Sequence, residues 1–163
     1  PLEGIKQDDD PEVRRSVVDA LREFGDAHAI GYLKAALVGS PLAGRPLVLV
    51  GRPLEGIKQD DDPEVRRSAV DALARTGDAN AIYALGLALL GLRDRNITKD
   101  VDPAVRRSVV DALRETGDAH AIGYLKQALV GRPLEGIKQD DDPEVRRSVV
   151  DALRETGDAH AIG

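Results

Sequence analysis

The sequence has no cysteine, no methionine and no tryptophan, and its aromatic residues are limited to Phe24, Tyr32, Tyr83 and Tyr124. Without cysteine there is no disulfide, no thiol nucleophile and no thiolate metal site. The apolar 42% of the 163 residues is almost all Ala, Leu, Val and Ile. Such side chains suit close helix packing better than a cofactor pocket, and no cofactor is expected. Positive charge is also in deficit. A net charge of −6 argues against phosphate neutralisation on nucleic acid and against docking on an anionic membrane surface. No apolar run reaches the roughly 18–20 residues of a spanning helix, and no signal peptide is visible. A soluble, cytoplasmic protein is the expectation. The missing Met at position 1 predicts a chain excised or processed from a longer one.

What is present is repetition. The segment DDDPEVRRSVVDAL begins at Asp8 and again at Asp140, with DDDPEVRRSAVDAL from Asp60 and DVDPAVRRSVVDAL from Asp100. The Asp-Pro pairs start at Asp10, Asp62, Asp102 and Asp142, spaced by 52, 40 and 40 residues. The unit is therefore 40 residues, and the first copy carries 12 more, SPLAGRPLVLVG at 40–51. One domain over 1–163 is expected, with units near 1–39, 52–91, 92–131 and 132–163.

Each unit reads as two helices. Asp10 suits an N-cap and Pro11 the first helical position. Val13, Val17, Ala20, Leu21 and Phe24 then share one stripe at helical spacing, and Gly25 supplies a stop. Asp26 can cap a second helix, whose Ile30, Leu33 and Leu37 form another stripe. The linking RPLEGIKQ at 52–59 and 132–139 reads as a short third helix or helical turn. A strand pattern occurs only in PLVLV, too isolated to build a sheet. Two helices cannot bury both stripes alone, so the units must stack. The expectation is an all-α, right-handed solenoid of about three and a half units.

The pattern DxDPxVRxxxxxAL…GDxxAIxxLxxAL resembles the HEAT-like repeat of the phycobilisome-lyase type over nearly the whole chain. The added RPLEGIKQ makes the unit longer than usual and similar to the three-helix armadillo plan. The resemblance implies a structural ladder, in which an acid before each first helix pairs with an arginine in its first turn and joins neighbouring units. The acids would be Asp8, Asp60, Asp100 and Asp140; the arginines, Arg14, Arg66, Arg106 and Arg146. On a helical wheel Arg14 flanks the core stripe beside Val18, and Arg15 points away, within reach of Asp19 at i+4.

Catalytic and metal chemistry find no support. His28, His120 and His160 occur once per unit, with Asn80 in the equivalent place, and stacked units lie on the order of 10 Å apart. Shared coordination needs bonds of about 2 Å. The DDD runs lack the Gly and distal Glu of a calcium loop, and no phosphate-binding glycine motif occurs. Ser16, Ser68, Ser108 and Ser148 are mid-helix, far in sequence from any His base. No catalytic, cofactor or metal residue is expected.

In the family the second helices line the concave surface. On the wheel, His28 and Tyr32, then Asn80, Tyr83 and Leu87, then His120, Tyr124 and Gln127 fall opposite the core stripe, together with Ala35. Tyrosine on a smooth surface is a typical interface anchor, although packing between neighbouring helices would also place it there. The fourth unit stops at GDAHAIG, which predicts self-association through an uncapped C-terminal unit. The expected function is a non-enzymatic scaffold for a protein or peptide partner. The alternatives are a subunit of a bilin-lyase-type or other small-molecule-modifying enzyme, or a designed consensus array.

Overall fold

Each Asp-Pro opens a helix, because the Asp side chain satisfies amide groups that have no intrahelical partner and Pro has none to satisfy. The computed structural model describes residues 8–39, 48–49, 52–53, 58–92 and 97–157. Among these residues the first helices are α1 (Pro11–Phe24), α3 (Pro63–Thr76), α5 (Pro103–Thr116) and α7 (Pro143–Glu155). The second helices are α2 (Ala27–Val38), α4 (Ala79–Leu90) and α6 (Ala119–Val130). Asp10 accepts from the Glu12 amide, and Asp62 from those of Glu64 and Val65. The first helices α1, α3 and α5 end on Gly25, Gly77 and Gly117, each left-handed.

The helices form two layers. First helices pack side by side as α1–α3–α5–α7, second helices as α2–α4–α6, and each second helix also packs on the first helix that follows it. The chain is an all-α repeat solenoid. Its core is Leu, Val and Ala, with Leu33, Leu37, Leu73, Leu85, Leu113, Leu125 and Leu153 fully buried.

Of the two forms expected for the linker at 132–139, the structure takes the helical turn: one 3-10 turn, Pro133–Glu135, closed by an antiparallel bridge between Arg132 and Ile137. The turn buries nothing, and Leu134 is fully exposed, so no apolar contact extends it. Residues 54–57 of the other copy lie outside the described residues. Within PLVLV, Val48–Leu49 do pair, antiparallel with Arg52–Pro53. The partner is local, so no larger sheet is required.

Glycine is obligatory where the linker returns. Gly91 has φ 72°, and a Cβ there would lie 2.8 Å from the Ile97 carbonyl oxygen. Both the left-handed backbone and the close approach exclude a side chain.

The expected stripe in the first unit is only partly core. Val13 is 43% and Phe24 72% exposed, and Ala20 is exposed as well. Their counterparts Val65 and Ala72 are buried, because there a preceding unit covers that side.

Candidate functional site

In the first three DP-x-VRR segments the arginine reaches forward across the stack. Arg14 donates from Nε and Nη2 to the two carboxylate oxygens of Asp60, at 2.9 and 3.1 Å. Arg66 does the same to Asp100 at 2.8 and 3.0 Å, and Arg106 to Asp140 at 2.9 and 3.0 Å. The remaining Nη1 donates to the carbonyl oxygen six residues back, in Asp8, Asp60 and Asp100 respectively. Within a unit, then, the arginine holds the backbone of its acid; the carboxylate it holds belongs to the next unit.

That acid is a four-way joint. In Asp100 the carboxylate receives Arg66 and the Asp102 amide, the carbonyl receives Arg106, and the amide donates to the Ala88 carbonyl at the end of α4. Arg66, Arg106, Asp60, Asp100 and Asp140 are each at most 3% exposed. Burying such charges is tolerable only with this degree of hydrogen bonding. The bond to Asp60 holds the Arg14 guanidinium above its ordinary range.

The middle acids add to the joint. Asp61 receives Arg14 Nη2 at 2.8 Å, and Asp141 receives Arg106 Nη2 at 3.2 Å and Lys99. The hydrogen bond from Lys99 draws the Asp141 carboxyl down to about 2. In the middle joint the same place is Val101, 77% exposed. Among the second arginines of the motif, Arg67 bonds Glu64 at 3.0 Å and Arg147 lies 3.6 Å from Glu144, each three residues back. Ser16, Ser108 and Ser148 donate their hydroxyls to the carbonyl four residues back, which occupies them within the helix.

The second helices α2, α4 and α6 contain no Asp or Glu. His28, Asn80 and His120 stand exposed at their starts, and Tyr32, Tyr83, Tyr124 and Gln127 are half-buried. Leu87 is only 4% exposed. It therefore belongs to the core, not to an apolar spot on the surface, because α4 is flanked by α2 and α6. Ala35 is covered in the same way at 7%.

Two of the tyrosines, Tyr83 and Tyr124, are held by residues of a neighbouring helix. Lys34 Nζ lies 5.2 Å from the centre of the Tyr83 ring, a cation–π distance. Tyr124 packs over α4 at Gly86, where a Cβ would come within 2.6 Å of its ring. Burial, with the nearby Tyr83 and Asp118 adding to it, raises the Tyr124 phenol. Beside it, Gly77, Ala79, Ile82, Asp118, His120 and Tyr124 line an open hollow of about 290 Å3. His120 Nδ1 is 3.2 Å from Asp118 Oδ1, and the His120 amide lowers the Asp118 carboxyl. The lysine over Tyr83 and the glycine under Tyr124 escape a helical wheel, which treats each helix separately. The Lys-to-Gly exchange at Gly86, in the place of Lys34 and Lys126, is the one signal of them in the sequence.

Comparison with known proteins agrees with this architecture. The family model for HEAT repeats matches residues 52–134, and that for the PBS lyase HEAT-like repeat matches residues 13–39. No curated protein matches the chain.

Proposed function

The chain belongs to the HEAT repeat family, and from that premise we propose that it is a non-enzymatic scaffold binding a protein or peptide along the exposed face of its second helices. HEAT repeats generally mediate protein interactions. The observation that carries the reading is the row of half-exposed Tyr32, Tyr83 and Tyr124 on helices without a carboxylate. Two of these rings are held in place before any partner arrives, by Lys34 and by the space at Gly86. Pre-set aromatic anchors reduce the ordering cost of binding. His28, Asn80, His120 and Gln127 supply polar contacts around them. No helix among the described residues is long and apolar enough to cross a membrane, and a cytoplasmic setting is part of the proposal. So is association between copies at the C-terminal unit.

The test is selection of binders from a peptide library by the chain, repeated with the Tyr32→Ala/Tyr83→Ala/Tyr124→Ala variant. Loss of the selected peptides, with helical circular dichroism unchanged, supports the tyrosine face. Equal binding by the variant overturns it.

The match to the PBS lyase HEAT-like repeat favours a second reading, a subunit of a bilin-lyase-type or other small-molecule-modifying enzyme. A pigment or cofactor retained through purification is its expected sign. A spectrum of protein alone counts against it.

A further inference from the structure

The first helices carry a second kind of contact between units, near their C-terminal ends. They close with Leu-Arg-Glu at 21–23, 113–115 and 153–155, but with Leu-Ala-Arg at 73–75. Between α5 and α7 the contact is made: Arg114 Nη1 donates to Glu155 Oε2 at 2.6 Å, 41 residues onward. Between α1 and α3 the residues in those two places are Arg22 and Arg75, which are like charges. Between α3 and α5 they are Ala74 and Glu115, a methyl group opposite a carboxylate. The Ala74-Arg75 exchange in α3 thus breaks two successive pairs, in opposite senses.

The side chains show the result. Arg22 Nε is buried and has no hydrogen-bond partner among the described residues; Glu23 Oε1, at 3.6 Å, is too far for one. A buried donor in that state costs free energy until an acceptor arrives. The side chains of Asp71 and Arg75, one turn apart on α3, make no hydrogen bond or ion pair among the described residues. Where α5 has the long Arg114 side chain, Ala74 leaves an open hollow of about 430 Å3. Arg22 lines it from α1, Asp71, Ala74 and Arg75 from α3, and Asp111 and Glu115 from α5. Three carboxylates against two guanidiniums leave it with a formal charge of −1. The three helices are consecutive in the stack, so the chain itself supplies these walls.

We propose that this hollow binds a ligand carrying a guanidinium and a carboxylate, of which arginine is the simplest. Its guanidinium takes the place of the side chain missing at Ala74 and bonds Glu115, as Arg114 bonds Glu155 in the next joint. Its carboxylate lies between Arg22 and Arg75 and gives the buried Arg22 Nε an acceptor. Planar guanidinium groups suit both ends, because they meet carboxylates with two parallel bonds. The ammonium of free arginine falls to Asp71, and its net charge of +1 offsets that of the hollow. The volume lies within the usual range of small-ligand sites. This site goes beyond the scaffold reading and uses none of its residues, so the two fail separately.

The test is NMR titration of the full chain, following the Arg22 Nε–H signal. The probes are L-arginine and the capped dipeptide acetyl-Arg-Glu-amide, which has the same two groups without free termini. A saturable shift with L-arginine assigns the free amino acid; one with the dipeptide alone assigns a peptide segment. Both support the site. L-Lysine, with a point charge in place of the fork, should bind more weakly. Ala74→Arg and Arg75→Glu restore the residues that the other units carry, so both variants should fold. Ala74→Arg fills the hollow and occupies Glu115, and Arg75→Glu occupies Arg22. Each should weaken binding about tenfold or more, the loss of one charged hydrogen bond. A wild type that shows no saturable shift with either probe overturns the proposal. So does binding that Ala74→Arg leaves unchanged, or L-lysine that binds as tightly as L-arginine.

Discussion

The ring of Tyr124 on α6 occupies the space above Gly86 on α4, with ring carbons 2.6 Å from where a Cβ would stand. Two effects of Gly86→Ala therefore oppose each other. Helix propensity favours Ala by about 1 kcal/mol, and overpacking against the ring costs about 1–3 kcal/mol. The contact involves three atoms of one ring, so the steric cost should win by about 1 kcal/mol. In a Tyr124→Ala background the sign should reverse, and Gly86→Ala should stabilise by up to about 1 kcal/mol. Urea unfolding of the four proteins, followed by helical circular dichroism, measures the coupling. Equal effects in both backgrounds would show that the ring does not depend on Gly86.

The two arginines of the motif should differ sharply. Arg66 is buried and bidentate on Asp100, so Arg66→Ala leaves that carboxylate buried without its partner and should cost about 3–5 kcal/mol. Even Arg66→Lys loses the planar two-point contact. Arg67, bonded to Glu64 with both side chains about half-exposed, should lose less than about 1 kcal/mol on conversion to Ala. Urea midpoints for the two Ala variants make the comparison.

Val101 is the gap in the row of middle acids. Val101→Asp gives Arg66 the extra carboxylate that Asp61 gives Arg14 and Asp141 gives Arg106. It also removes an apolar side chain that is 77% exposed. A small gain of about 0.2–1 kcal/mol is expected, falling as salt rises. A lower thermal midpoint at low salt would contradict it.

Asp141 should contribute a pH dependence of known sign. Lys99 lowers its carboxyl from 3.8 to about 2 in the folded chain, so the folded state favours the ionised form. Its contribution is present above about pH 4 and is lost as the pH falls through 2. The side chain is 79% exposed, so solvent screening holds the effect below about 1 kcal/mol. In Lys99→Gln the Asp141 carboxyl should titrate nearer 3.8, as read by the chemical shift of its carboxyl carbon. No change in that titration would place the cause elsewhere.

The start and stop of each helix were legible because capping acts within a few residues. Asp10 with Pro11, and Gly25 after Phe24, are local signals, and the stacking followed from the 40-residue repeat. The sequence left the tyrosines open between a binding face and packing between helices; all three are half-buried, with Tyr83 and Tyr124 packed against the core. Leu87 was not legible, because a wheel assigns it a side without knowing that α2 and α6 flank that side. At Pro133–Glu135 the sequence left a short helix and a helical turn open, and the turn forms where Leu134 is fully exposed.

One comparison separates the two sources of information. The string DDDPEVRRSVVDAL occurs identically at 8–21 and 140–153. Both copies cap with Asp, begin with Pro and fold into a helix, because those choices depend on residues within a turn or two. Yet Val13 is 43% exposed and Val145 fully buried, whereas Arg14 is buried and Arg146 half-exposed. The sequence by itself determined the helices, the unit and the residue types of the joint. Only the tertiary structure decided which side of each helix is covered and that Arg66 takes its carboxylate 34 residues onward. Burial and ion pairing between units are set by neighbours in space, and two identical strings have different neighbours.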